Sequence, residues 1–258
     1  MDNKEVFETR KLEFVTPSGH TVVIREQNGA DDDILSNPVE ASNLMNLSRF
    51  IAAIVVKADY NETGKLTVDQ AHSLPVLDRY AILFNSRIFS IGETLDFDYD
   101  WKENGGKASY EQDLREFIFD YSKTPTEEEL DAKPNAIPFY PEGRKIVDFE
   151  ITTRSGKQLL FDLLTAKGEA WAANLPMEKQ TRNVGLMARN LRLKVGDKYE
   201  AVSNFQMFSV KDMIDIRSEV NAYDPMFMGT TEIENPTTHE KTEVSVVAMS
   251  GFFYPGEI

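Results

Sequence analysis

The chain has no cysteine, which excludes disulfides, thiol nucleophiles and thiolate metal sites together. It has only three histidines, His20, His72 and His239, without the HxxxH or HExxH spacing that sets two ligands on one helix face. No apolar run approaches the roughly 18 residues a membrane helix needs, and Met1-Asp-Asn-Lys-Glu5 lacks the features of a secretion signal. The expectation is a chain made and folded in a cytosol. No GxGxxG, P-loop, GxSxG or kinase signature occurs, so nucleotide chemistry has no visible seat. Positive charge is also scarce: 28 Lys+Arg stand against 43 Asp+Glu, a net charge of −15. Such a field repels nucleic acid and anionic membranes, and a basic protein surface is its natural complement.

What is present is an ordinary globular composition, 41% hydrophobic and 28% charged over 258 residues. Its most informative feature is an internal echo. Phe14-Val-Thr-Pro-Ser-Gly19-His-Thr-Val-Val-Ile24 lines up with Ile151-Thr-Thr-Arg-Ser-Gly156-Lys-Gln-Leu-Leu-Phe161, an offset of 156 − 19 = 137. The same offset pairs Ile54-Val-Val-Lys57 with Leu191-Arg-Leu-Lys194. After a slip of three it becomes 212 − 78 = 134, pairing Val68 with Val202, Val76 with Val210, Asp78 with Asp212, Ile82 with Ile216 and Lys107 with Lys241. Phe139-Tyr-Pro141 and Phe253-Tyr-Pro255 follow the two copies. The matched apolar pattern predicts an α+β fold of two tandem similar units, 1–123 and 137–258, each with its own core. Between them, 124–136 is acidic and contains proline, and reads as a linker.

Within each unit the pattern predicts a β-hairpin, two helices and a second β-hairpin. Lys11 to Glu26 and Val147 to Asp162 alternate about Ser-Gly turns. Asn28 to Asp33 reads as a loop. The stripes Leu44, Leu47, Ile51, Ile54, Val55 and Val184, Met187, Ala188, Leu191 have helical spacing. Asn61-Glu-Thr-Gly64 and Val195-Gly-Asp-Lys198 read as turns. The second helices start near Pro75 and at the capping box Ser209-Val-Lys-Asp212. In the later one Met213, Ile216, Val220 and Tyr223 form a single stripe, whereas Leu77 to Ile91 is apolar over a wider arc and should be more buried. Hairpins then follow at Leu95 to Trp101, turning at Glu103-Asn-Gly-Gly106, and at Thr230 to Asn235, turning near Pro236 to His239.

Few constellations suggest chemistry. Asp96, Asp98 and Asp100 alternate as in the opening of a calcium loop, but Trp101 stands where that loop needs Gly and Lys107 where it needs Glu. An acidic solvent face is the plainer reading of these three; for Asp31 to Asp33, which could also hold a cation, it is a solvated loop or a helix start. Arg182, Arg189, Arg192, Lys194 and Lys198 form a local basic cluster that could bind phosphates, although a solvated face or a contact to the acidic half of a neighbouring subunit is the plainer reading. No catalytic residue, cofactor site or metal site is assigned.

In each half the series of an apolar helix, a "Leu-x-Val-x-Asp" helix start, a short hairpin and an aromatic-Pro ending resembles tailed-bacteriophage proteins related to the baseplate hub and tail-assembly proteins of T-even-like phages. The matching segments are Leu74-Pro-Val-Leu-Asp78, Phe208-Ser-Val-Lys-Asp212 and Gly251-Phe-Phe-Tyr-Pro255. In that family the hairpin is often built on Cys-Pro-x-Cys-Gly. Here Trp101-Lys-Glu-Asn-Gly105 and Asn235-Pro-Thr-Thr-His239 occupy its two positions, 235 − 101 = 134 residues apart, so the resemblance implies two zinc knuckles without their ligands.

It further implies a non-enzymatic structural or assembly protein of a tail or baseplate. Such a protein would work through contacts with other tail proteins or with itself, in the virion or in host cytoplasm during assembly. Phe97, Tyr99, Trp101, Asn235, His239, Phe252, Phe253 and Tyr254 are the candidate interface residues, since protruding aromatics beside charges suit docking. An acidic calcium-binding module and a hydrolase of unrecognised type are the alternatives from other classes.

Overall fold

The computed structural model describes residues 10–41, 45–102, 105–117, 137–138, 145–146, 149–227, 229–248 and 250–253. Leu44, the expected linker at 124–136, Phe139-Tyr-Pro141 and Tyr254 lie outside them. The fold is α+β, with helices beside small antiparallel sheets. In chain order the first half contains β1 (Lys11–Val15), β2 (Thr21–Arg25), α1 (Gly29–Leu35), α2 (Pro38–Ala41) and α3 (Met45–Ile54). It continues with β3 (Val55–Ala58), α4 (Val68–His72), α5 (Val76–Ser90), β4 (Thr94–Asp100) and β5 (Lys107–Asp113). The short strands β6 (Ile137–Pro138) and β7 (Lys145–Ile146) pair with each other. The second half contains β8 (Phe149–Thr152), β9 (Gln158–Phe161), α6 (Ala166–Ala173), α7 (Val184–Ala188), β10 (Arg192–Val195) and β11 (Lys198–Ala201). It ends with α8 (Val210–Tyr223), β12 (Thr230–Glu234), β13 (Lys241–Ser245) and α9 (Ser250–Phe253).

The first hairpin of each half closes by the same device. Gly19 and Gly156 take φ of 84° and 82°, a conformation costly for residues with a Cβ. Thr16 and Thr153 accept the glycine N–H at 2.8 Å in both turns. Val15 sits opposite Thr21 and Thr152 opposite Gln158, so the register repeats at the offset of 137. A third strand then joins each sheet, giving the orders β1-β2-β3 and β11-β10-β9-β8. Here the register departs from the sequence pairing: Lys57 lies opposite Val23 and Arg192 opposite Leu160, an offset of 192 − 57 = 135. A bulge between Val23 and Ile24 in the first sheet accounts for part of the difference, because it inserts a residue on one strand only.

The segment from Asn28 to Asp33, expected as a loop, begins α1. Asn28 is its N-cap and forms a capping box with Asp31, which also takes a two-pronged salt bridge from Arg25 at 2.7 Å. The acidic triplet therefore starts a helix, with Asp31 buried and Asp32 and Asp33 exposed. The long helices start where the sequence places them. Pro75 precedes α5, and Ser209 caps α8 in a reciprocal box with Asp212. Met213, Ile216 and Val220 form the buried stripe of α8, while α5 buries ten residues including Asp78, Arg79 and Arg87.

Three apolar clusters hold the molecule together. The first is built by β2, α3 and the β3–α4 region around Ile24, Phe50, Ile54, Tyr60 and Leu74. The second belongs to the later half around Leu159, Phe161, Leu191 and Ile216, but it also takes Leu77 from α5. The third joins Phe84, Leu95 and Leu114 to Val246 and Phe252. The expectation of two self-contained cores is thus corrected, because residues from both halves share two of the three. Burial of a ring such as Phe84 or Phe252 contributes about 1.5–3 kcal/mol, so a shared aromatic cluster couples the halves strongly. Among the described residues no helix is long and apolar enough to cross a membrane.

Candidate functional site

Two buried carboxylates, one at the third position of each long helix, tie the helix to the Ser-Gly turn of its own half. Asp78 accepts the N–H of Ser18 at 2.9 Å, the Ser18 hydroxyl, and the Tyr60 hydroxyl at 2.8 Å. Asp212 accepts the N–H of Ser155 at 3.4 Å, that of Ser209 at 3.1 Å, and the Lys157 ammonium at 3.2 Å. Their electrostatics differ. Burial pushes the Asp78 carboxyl upward against its hydrogen bonds, whereas the Ser155 hydroxyl, with help from Lys157, holds that of Asp212 well below the usual range. The sequence pairs Asp78 with Asp212 but does not reveal their shared turn. The available signal is that Ser18, Ser155, Asp78 and Asp212 are identical polar residues within otherwise apolar patterns.

The second hairpins face each other. In both, the residue after the first strand donates to the same point of the turn: Trp101 N–H to the Gly106 carbonyl at 2.9 Å, and Asn235 N–H to the Glu240 carbonyl at 2.8 Å. Asp100 lies opposite Lys107 and Glu234 opposite Lys241, again 134 apart. Across the junction the Trp101 indole N–H donates to the Tyr110 hydroxyl, which donates to the Glu234 carbonyl, each at 2.8 Å. Thr231 reaches Gln112 at 2.5 Å. Asn235 is fully buried, and its Oδ1 accepts the N–H of Thr237 at 2.8 Å and of Thr238 at 3.1 Å. Its amide lies against Gly105, where an added Cβ would come within 2.8 Å of Nδ2.

This junction changes the status of several expected interface residues. Trp101 and Asn235 are sealed between the hairpins rather than protruding, since each satisfies its polar groups there. Phe252 is fully buried against Phe84, with ring centroids 4.9 Å apart. Phe253 is half-buried between Phe252 and Phe50. Phe97 stacks on Tyr110 and Tyr99 meets Trp101 edge-on; both are half-buried. His239 alone of the described candidates is well exposed, paired with Glu234 at 2.7 Å. Asp96, Asp98 and Asp100 line the outer face of β4, and among the described residues no group of three His, Asp or Glu side chains could hold a metal ion.

The other two histidines are interior. His20 stacks on Tyr60 and contacts Asp59 at 2.9 Å. His72 Nδ1 lies 2.9 Å from the Ser48 hydroxyl, which accepts from Arg79 at 3.0 Å. Burial, and then the Arg79 charge, hold His72 below its usual range and therefore neutral. The pair has the chemistry of a nucleophile and base, yet Ser48 is fully buried and no substrate reaches it. The local basic cluster disperses: Arg189 is buried on Asp224 at 2.6 Å, Arg192 pairs with Asp162 at 2.5 Å, and Lys194 reaches Gln158.

The class these features define is an α+β protein whose most elaborate polar construction is a docking of two hairpins. No family model, no curated protein and no solved structure matches the chain.

Proposed function

We propose that the chain is a tandem duplication, with units at 1–123 and 137–258, and that it serves as a non-enzymatic structural or assembly protein of a phage tail or baseplate. The duplication is supported by contacts that recur at the offsets of the sequence. Ser18 and Ser155 dock on Asp78 and Asp212. The N–H of Gln27 meets the Ser90 hydroxyl where that of Leu164 meets the Asp224 carboxylate, and 27 + 137 = 164 while 90 + 134 = 224.

The observation that carries the functional reading is the meeting of the two hairpin turns. A pair of zinc knuckles that has lost its metal must satisfy its turn N–H groups and fill the centre by other means. Asn235 does both, and Gly105 leaves it room. Such a protein would act through surfaces toward other tail or baseplate proteins, in the virion or in host cytoplasm during assembly. Mass spectrometry of purified particles and of tail intermediates tests this. The chain is expected in at least one of the two; its absence from both would overturn the reading.

A further inference from the structure

The contact between the halves has one half-contact left over in each half of the chain. Inside the chain, the start of α5 receives the segment that leads into α6. Val76 N–H donates to the Leu164 carbonyl at 2.8 Å, Pro75 bridges Thr165, and Val76 is only 7% exposed. The equivalent place on α8 is uncovered. Val210, the counterpart of Val76, is 79% exposed, with Ile214 at 55% one turn along and Met207 at 50% just before the helix. Conversely, the counterpart of Leu164-Thr165-Ala166 in the first half is Gln27-Asn28-Gly29, since 165 − 28 = 137. Thr165 and Asn28 are both N-caps of the helix that follows. Ala166 is fully buried beside its contact, whereas Asn28, Gly29 and Ala30 are exposed.

We propose that these two ends meet in a second copy of the chain: the start of α1 of one molecule docks on the Met207, Val210 and Ile214 strip of the next. The inference rests on the duplication, not on the tail role. A second copy is the occupant because the same chain carries both an open acceptor and an unused donor of the type already joined within it. Two different surfaces meet, so the contact is head-to-tail and builds either an open chain or, where the rotation closes, a ring.

Sedimentation and light scattering of the full chain, from low micromolar to near-millimolar, test the proposal. The expected result is an average mass that rises with concentration above that of the monomer. Val210→Glu blocks one end; Ile214→Lys serves if that variant loses its circular dichroism spectrum. Gly29→Arg blocks the other end, at a site where an added Cβ meets nothing within 4 Å. Each variant alone should remain monomeric, and an equal mixture of the two should form a dimer and nothing larger. A wild-type chain monomeric throughout, variants that associate as wild type does, or a mixture that stays monomeric would each overturn it. None of these outcomes bears on whether the chain is found in particles.

Discussion

Asn235 illustrates how a single side chain can replace a larger device. A buried amide is costly unless its groups are paired, and here Oδ1 serves two turn N–H groups while the rest of the side chain fills the space against Gly105. Any Cβ at 105 collides with that amide, and the φ of 156° there is itself strained for a residue with a Cβ, so Gly105→Ala should destabilise the protein by about 1–3 kcal/mol, the usual range for overpacking. Asn235→Ala should also destabilise, because Thr237 and Thr238 lose their acceptor. In the double variant the added methyl enters the space the amide has left. The combined loss should therefore fall clearly short of the sum of the two, measured by urea unfolding as a double-mutant cycle. Additive losses would mean that the two turns do not touch as described.

The long helices show the same element used with opposite electrostatics. Asp78 is pushed up by burial, so relative to the unfolded chain it favours its protonated form, and its contribution fades as pH rises through its raised value. Asp212 is held down, so its contribution is full above the unfolded carboxylate value of about 3.9 and is lost as pH falls below it. Asp212→Asn removes the second dependence. The variant should lose less stability than wild type between neutral pH and about pH 3, compared by urea unfolding at both; an equal acid loss in the two proteins would show that Asp212 is not held by Ser155 and Lys157.

The helix starts were legible because caps and apolar stripes are local signals, and the hairpins because Ser-Gly and Gly-Gly turns punctuate alternating strands. What α5 and α8 reach was not legible, since a carboxylate in the first turn of a helix carries no mark of the turn some 60 residues away that it also binds. At Asp31 to Asp33 the sequence left a solvated loop and a helix start side by side, for a related reason. Three consecutive aspartates look solvated, and only the structure shows Arg25 beneath Asp31. Among the candidate interface residues, the alternation that sets Phe97, Tyr99 and Trp101 on one face of β4 was readable. That this face turns toward the other hairpin was not, because nothing in the alternation says which neighbour covers it.

At the scale of the whole molecule, the sequence pattern of two units and the physical unit of folding are different things. The third cluster mixes Phe84, Leu95 and Leu114 with Val246 and Phe252, and Leu77 sits in the cluster of the later half. Phe227 of the later half packs against Tyr80 and Phe84, with ring centroids 4.6 and 5.8 Å apart. A segment ending at 123 would leave Leu77 without its cluster and strip Phe84 of Phe227, Val246 and Phe252, and what remained would have to offset the ordering entropy alone. The full chain should therefore unfold in one transition whether followed by far-ultraviolet circular dichroism or by tryptophan fluorescence. Phe252→Ala, near the end of the chain, should cost about 3–5 kcal/mol and shift both probes together. Residues 1–123 and 137–258 made separately should lack cooperative unfolding, and mixing them should restore it. Two independently melting halves would place the boundary between folding units where the repeat places it, and would mean that the aromatic cluster is a contact between finished domains rather than a common core.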